Sequence, residues 1–217
     1  MKISPSVLSA DFSKLDRELE KMWNSGAEWI HYDVMDGLFV PNITFGAPVI
    51  KCLKDKTKAV SDVHLMIEDP IKYIEDFANA GADYITFHIE SKSDIKQTIQ
   101  KIKDCGCKAG LTLRPKTDIN KLLPYLEMID LVLIMTVEPG FSGQSFMADQ
   151  VEKIKIVRQK AKELNLDLII NVDGGINTEN INIVSKAGAD VVVSGSTVFK
   201  SEDPAKTIAE LKKNAVV

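Results

Sequence analysis

The chain has few cysteines, little net charge and no long apolar segment, and each shortage excludes a class of protein. Its three cysteines, Cys52, Cys105 and Cys107, are too few for a disulfide framework and are typical of a reducing cytosol. No apolar run approaches the roughly 18–20 residues of a membrane span, and the first residues lack the apolar core of a signal peptide. A formal net charge of −4 disfavours nucleic acid as the main partner. We therefore expect a cytoplasmic protein that binds neither membranes nor nucleic acids.

What the chain does contain is the ordinary composition of a globular protein, with 45% hydrophobic and 27% charged residues. Its 217 residues lie within the range of one large domain and can bury a substantial core. We therefore predict a single domain over residues 1–217.

Strand-like and helix-like runs alternate along the whole chain, which predicts eight strand–helix units. The predicted strands are 2–8, 29–33, 59–64, 84–88, 108–113, 131–135, 167–172 and 191–194. The predicted helices are 13–25, capped by Ser13, and 48–53, 70–80, 94–104, 119–126, 147–165, 178–187 and 204–214. A weak repeat supports the count, because Gly-Ala-acidic triplets at 26–28, 81–83 and 188–190 each precede an apolar strand. Eight units predict an α/β fold, a (β/α)8 barrel, rather than a doubly wound open sheet, since no glycine fingerprint follows the first strand.

All three histidines fall at the ends of consecutive predicted strands, where such barrels carry their active sites. By the alternation of a strand, His31 and Asp33 share a face. With His64 and Asp173, which follows the seventh strand, they make a plausible set of two nitrogen and two oxygen ligands for Zn²⁺, Mn²⁺ or Fe²⁺. Each residue alone would be interpreted as structural. His88 stays open as a ligand, a partner of a ligand, or a packed residue.

Small residues in three loops predict a phosphate site. The loops are 138–144 after the sixth strand, 173–175 after the seventh and 194–196 after the eighth. Glycine lets backbone N–H groups approach an anion, and these barrels commonly bind phosphate after their last strands.

For several other residues, a structural role is the simplest interpretation. Met35, Met66 and Met135 end three strands and are either core filler or an apolar collar that dries the site. We expect Cys105 and Cys107 to be inert, and the lysines of 152–162 to form a solvated helix face.

These motifs, taken together and in order, identify a family resemblance. They are the segments 4–6, 31–37, 39–42, 62–66, 139–144, 172–175 and 195–196. Over nearly its whole length the chain resembles the ribulose-phosphate 3-epimerase family. The resemblance implies a (β/α)8 barrel that uses one divalent metal, often zinc, with Mn²⁺, Fe²⁺ and Co²⁺ as alternatives. It also implies a homo-oligomer, a dimer or a hexamer, and a place in the pentose phosphate pathway.

Residue roles follow from the matching positions. The resemblance implies His31, Asp33, His64 and Asp173 as metal ligands, with Asp33 and Asp173 as the paired acid and base. The implied substrate contacts are Ser6, His64, Gly140, Phe141, Ser142, Gly143, Asp173, Gly174, Gly175, Gly195 and Ser196. The implied reaction converts D-ribulose 5-phosphate to D-xylulose 5-phosphate through an enediolate, with a proton removed on one face and returned on the other.

Three positions depart from the commoner pattern of the family, which has Asn, Asn or Asp, and Glu where this chain has Arg114, Glu138 and Asn171. We expect all three to flank the substrate region and Arg114 to pair with Glu138. They leave open a sister epimerase that converts D-allulose 6-phosphate to D-fructose 6-phosphate. Two further alternatives are a metal-dependent lyase, for which Lys116 is the one candidate lysine, and a non-catalytic barrel that binds a sugar phosphate.

Overall fold

The computed structural model describes residues 1–215 and has eight parallel strands in one sheet. The strands are β1 Lys2–Ser4, β2 Trp29–Met35, β3 Val60–Met66, β4 Tyr84–His88, β5 Lys108–Leu113, β6 Leu131–Met135, β7 Ile169–Asp173 and β8 Val191–Val193. They are ordered 1-8-7-6-5-4-3-2. A parallel bridge between Ser6 and His31 joins the two ends of that order and closes the barrel. The predicted (β/α)8 barrel is confirmed.

Helices follow the strands and surround the sheet. The α-helices are α1 Leu15–Asn24, α2 Ala47–Leu53, α3 Ile74–Asn79, α4 Ile95–Asp104, α5 Val151–Glu163, α6 Ile181–Ala187, α7 Ser196–Phe199 and α8 Pro204–Ala215. Short 3₁₀ helices are Val7–Ser9, Phe12–Lys14, Lys54–Lys56, Pro70–Lys72, Ile119–Lys121, Leu123–Met128 and Ala148–Gln150. Within residues 1–215, every helix is too short or too polar to cross a membrane.

The predicted bounds hold for β4, β5 and β6, and several others are wrong for local reasons. The first strand ends at Ser4, because the Ser6 side chain accepts from the Leu8 N–H and starts a 3₁₀ helix. Ser13 is not a cap; its own N–H donates to the side chain of Asp11. The predicted helix 119–126 consists of two 3₁₀ segments, since Pro124 lacks an N–H donor and disfavours a continued α-helix.

The strands are buried on both faces, so one apolar cluster lies outside the sheet among the helices and another lies inside the barrel. In β2, Ile30 and Tyr32 pack with the helices in the outer core. Trp29 packs with Leu131 inside the barrel. Because side chains alternate along a strand, His31 and Asp33 share the inner face with Trp29. Polar side chains therefore enter the barrel interior above an apolar floor.

Candidate active site

Four side chains from three strands converge at the carboxyl end of the barrel. They are His31, Asp33, His64 and Asp173, and one ligand atom from each lies within 4.8 Å of all the others. His31 Nε2 is 3.3 Å from Asp33 Oδ1 and 3.9 Å from Asp173 Oδ2. His64 Nδ1 is 3.2 Å from Asp33 Oδ1. The structure thus brings together the four side chains that the sequence singled out.

The neighbours of these carboxyls shift their pKa values in opposite directions. Burial raises the pKa of Asp33, but the positive charges of His31 and His64 and the hydrogen bond with His64 outweigh it and hold that pKa well below its ordinary value. Burial, followed by the negative charge of Asp33, raises the pKa of Asp173 to about 6. One carboxyl is therefore suited to accept a proton and the other to hold one, as in other paired acid–base sites.

The donor set suits a divalent cation. His31 Nε2 is buried and has no hydrogen-bond partner among residues 1–215, although it is directed at two carboxylates. A buried polar atom without a partner is costly, and a metal ligand bond would satisfy it. Two imidazoles and two carboxylates are a common ligand set for zinc and similar metals.

Each candidate ligand histidine is held by its other ring nitrogen, a pattern typical of metal sites. His31 Nδ1 lies 2.7 Å from Asp62 Oδ2. His64 Nε2 lies 2.9 Å from His88 Nε2, and the Phe39 ring packs against His88. His88 is therefore a partner of a candidate ligand, the second of the three possibilities that the sequence left open. The sequence did not single out Asp62 as a partner of His31, although its position two residues before His64 places it on the same strand face.

A pocket adjoins this cluster on the side of β6, β7 and β8. It is lined by Ser6, Asp33 and Asp173, and by the predicted phosphate residues Gly140, Phe141, Ser142, Gly143, Gly174, Gly175, Gly195 and Ser196. His64 lies deeper and is fully buried. Met35, Met66 and Met135 are buried and also line the pocket, so they serve as both core and apolar collar.

Glycine is required where the pocket loops approach each other. Gly174 has φ +129°, and a Cβ there would lie 2.8 Å from the Val137 backbone nitrogen. Gly175 has φ +66°, and a Cβ there would lie 2.6 Å from the Phe146 backbone nitrogen. Any larger residue would strain the backbone and displace a neighbouring loop. The loops are thus packed closely enough to surround a small anion.

The three departures from the family pattern lie in different places. The Arg114 guanidinium stacks over the Phe39 ring at 4.3 Å and donates to the Phe39 carbonyl at 2.6 Å. Glu138 lines the pocket and lies 4.0 Å from Lys116 Nζ. The expected pair between Arg114 and Glu138 is wrong, because the loop after β2 takes up the guanidinium.

Asn171 also lies away from the expected position beside the substrate. It is fully buried and donates to Asp62 below the cluster. Of the three departures, only Glu138 lines the pocket.

The structure agrees with the expected structural role of Cys107 and disagrees with the expected solvated lysine face of α5. Cys107 is buried and its thiol donates to the Ala82 carbonyl, in keeping with a structural role. Lys153 contradicts the expected solvated face of α5, since its Nζ donates to the carbonyls of Pro115 and Thr117 at 2.6 and 2.9 Å. The reason is that α5 packs beside the loop after β5, whose carbonyls need donors.

Known proteins resemble this chain over nearly its whole length. A model of the ribulose-phosphate 3 epimerase family matches residues 2–199. The cytoplasmic isoform of ribulose-phosphate 3-epimerase from Oryza sativa subsp. japonica is 45% identical over 217 residues, covering 98% of this chain and 93% of the relative. Ribulose-phosphate 3-epimerase from Treponema pallidum is 49% identical over 197 residues, covering 91% and 90%.

Solved structures show the same fold at low identity. The crystal structure of KGPDC from Streptococcus mutans in complex with D-R5P superposes with a TM-score of 0.76 at 12% identity. It covers 98% of this chain and 96% of that chain. Identity this low supports the barrel fold alone.

Proposed function

Because the chain belongs to the ribulose-phosphate 3-epimerase family, we propose that it interconverts D-ribulose 5-phosphate and D-xylulose 5-phosphate. It is an isomerase of the epimerase class, as are the relatives that match nearly its whole length. The observation that carries the proposed mechanism is the pair Asp33 and Asp173, which lie in one cluster with pKa values shifted in opposite directions.

Two carboxyls are what this epimerisation requires. Removing the proton from the carbon next to the ketone gives a planar enediolate, and inversion requires the proton to return on the other face. We assign one face to Asp33 and the other to Asp173. The lowered pKa of Asp33 keeps that carboxyl ionised, the form that can accept a proton, while the pKa of about 6 at Asp173 keeps a protonated fraction that can donate. One forward turnover leaves Asp33 protonated and Asp173 ionised, and from that state the two roles exchange in the reverse direction.

Neighbouring groups support these roles. The Ser6 hydroxyl donates to Asp33 Oδ2 at 2.6 Å and so orients the carboxylate. Met35, Met66 and Met135 present apolar surface to the pocket, which limits water near the reacting carbon. Each correctly placed acid or base typically contributes ~10²–10⁴-fold to the rate.

The ligands of the proposed metal are His31, Asp33, His64 and Asp173. Their two nitrogens and two oxygens suit Zn²⁺, with Mn²⁺, Fe²⁺ and Co²⁺ as alternatives. A bound divalent cation would stabilise the negative charge that develops on the enediolate oxygens. This assignment is supported by His31 Nε2, which is buried and has no hydrogen-bond partner within the described residues 1–215.

The substrate phosphate is assigned to the loops after β6, β7 and β8. Gly174 and Gly175 allow close approach of the loops after β6 and β7, Gly195 allows close approach to Ser9 in the loop after β1, and Ser196 adds a hydroxyl at the same edge of the pocket. The alternative of a lyase has less support, because Lys116 is exposed and lies beside Glu138 rather than in the cluster.

Turnover of two sugars tests the substrate assignment. Purified protein is assayed with D-ribulose 5-phosphate and with D-allulose 6-phosphate, and kcat/KM is compared. We expect the pentulose to be preferred by at least about tenfold, a ratio typical of one extra carbon unit in a fitted site. Preference for the hexulose would assign the chain to the sister epimerase instead, and turnover of neither would contradict the proposal.

We also propose a cellular location and an oligomeric state for the protein. A cytoplasmic location is supported by the name of the rice relative, whereas another relative, from Arabidopsis thaliana, is named chloroplastic. We keep the dimer or hexamer that the family resemblance implies.

A further inference from the structure

A buried carboxylate lies directly below the candidate metal cluster. Asp62, on β3, is 1% exposed, and its Oδ2 is 2.7 Å from His31 Nδ1. The same oxygen accepts from Asn171 Nδ2 on β7 at 2.9 Å. His31 and Asn171 are both fully buried. The three side chains thus connect strands on different sides of the barrel within its interior.

Burial of this contact carries a desolvation penalty, which points to a role in the site. Burying a carboxylate carries a large desolvation penalty unless donors satisfy both of its oxygens. Here both donors reach Oδ2, while Asp62 Oδ1 and Asn171 Oδ1 have no partner among residues 1–215. An apolar pair of similar volume would serve the fold at least as well.

The Asp62 carboxylate determines which ring nitrogen of His31 carries the proton. A carboxylate only accepts, so Nδ1 of His31 carries a proton. A histidine that binds a metal is neutral, so its lone pair would then lie on Nε2, the atom directed at Asp33 and Asp173. The negative charge at Nδ1 also makes Nε2 a stronger electron donor.

We propose that Asp62 and Asn171 form a positioning pair, in which Asn171 orients the Asp62 carboxylate and Asp62 holds the His31 ring with Nε2 directed at the metal. This inference rests on the proposed metal site. Asn171 supplies a donor that a carboxylate at that position would lack. The pair does not touch the substrate, and it acts through His31.

Exchange of amide and carboxylate between the two positions tests the pair. Asp62→Asn keeps the shape, and the Asn171 amide can turn to accept from it, so only the negative charge beside His31 is lost. Asn171→Asp places two carboxylates side by side in the barrel interior. The double variant D62N/N171D restores one amide and one carboxylate, but the charge now lies at position 171 instead of beside His31. Thr112→Val, another buried polar residue of the barrel interior, is the matched control.

Three measurements are made on each protein. They are the Zn²⁺ dissociation constant by competition with a chromophoric chelator, the ¹H resonance of the His31 Nδ1–H in the zinc-loaded protein, and Tm. We expect D62N and the double variant to bind zinc about 10–100-fold more weakly, with the Nδ1–H resonance moved upfield because the acceptor is no longer charged. We expect N171D to lower Tm, the double variant to recover it, and T112V to keep wild-type zinc affinity.

Two results would overturn the inference. One is zinc affinity and an Nδ1–H resonance in D62N that equal those of the wild type. The other is a double variant that regains both wild-type affinity and Tm, since then only the polar contact matters. If the wild type binds no divalent metal at the cluster, the proposed metal site fails as well, which distinguishes that failure from failure of the pair alone.

Discussion

Asn42 donates a hydrogen bond from its Nδ2 to the carbonyl oxygen of Gly140 at 2.9 Å, although 98 residues separate the two in the chain. Asn42 lies in the loop after β2, and Gly140 lies in the loop after β6 that lines the pocket. The loop after β2 is itself held by Arg114 through Phe39. These contacts join two loops across the mouth of the site and limit the positions that the loop after β6 can adopt.

Removal of this link should weaken substrate binding. In Asn42→Ala the loop after β6 loses a restraint, and the bound substrate must order it. One neutral hydrogen bond is worth about 1 kcal/mol, so we expect KM for D-ribulose 5-phosphate to rise about fivefold with a smaller change in kcat. Steady-state kinetics measure this. Asn79→Ala, at an exposed position on the end of α3, is the control, and an unchanged KM in Asn42→Ala would contradict the prediction.

The two-base assignment predicts a specific isotope pattern. Asp33→Asn and Asp173→Asn should each lower epimerisation by about 10²–10⁴-fold. In D₂O, each variant should exchange the proton next to the ketone in only one of the two epimers, because one base remains on one face. NMR of the recovered sugars measures the exchange, with metal content determined in parallel. If one variant exchanged the proton next to the ketone in both epimers, a single base would serve both faces.

Metal removal should abolish activity reversibly. If the cluster of His31, Asp33, His64 and Asp173 holds a catalytic cation, prolonged chelation should reduce turnover to a small residual rate. Added Zn²⁺, Mn²⁺ or Co²⁺ should restore it. Elemental analysis of the untreated protein identifies the metal and its stoichiometry. His64→Ala should contain less metal than the wild type. Full activity in protein shown to be free of metal would refute metal dependence.

Glu90 should make part of the stability depend on pH. Burial raises its pKa, but His88 Nδ1 at 3.5 Å and hydrogen bonds from the Thr117 hydroxyl and the Arg114 N–H lower it to about 2. In the unfolded chain the value is about 4.3. The contribution is therefore complete above about pH 4.3 and is lost as the pH falls through about 2, since the unfolded state takes up the proton first.

The measurement compares urea unfolding of the wild type and Glu90→Gln at about pH 5 and about pH 3. We expect the wild type to lose more free energy of unfolding than the variant over this interval, by on the order of 2 kcal/mol. Glu127→Gln, an exposed substitution of the same type, is the control. Equal losses in the wild type and Glu90→Gln would contradict the assigned pKa.

The sequence by itself determined the barrel and the identity of the cluster. Alternation of apolar strands and amphipathic helices predicts eight units, and β4, β5 and β6 begin and end where that pattern places them. Once the strands are parallel and form a barrel, their carboxyl ends must meet, so residues at several strand ends come together without knowledge of any side-chain contact. Strand period and closure, together with the choice of nitrogen and oxygen ligands among the strand-end residues, therefore predict that His31, Asp33, His64 and Asp173 converge.

Only the tertiary structure decided which side chains support that cluster. Whether Asp62 reaches His31, and whether His88 reaches His64, depends on the register between neighbouring strands, which a single sequence does not specify. The choice of Phe39 rather than Glu138 as the partner of Arg114 depends on the path of the loop after β2. Local propensity sets each element, but contacts across the barrel arise only when all eight strands are in place.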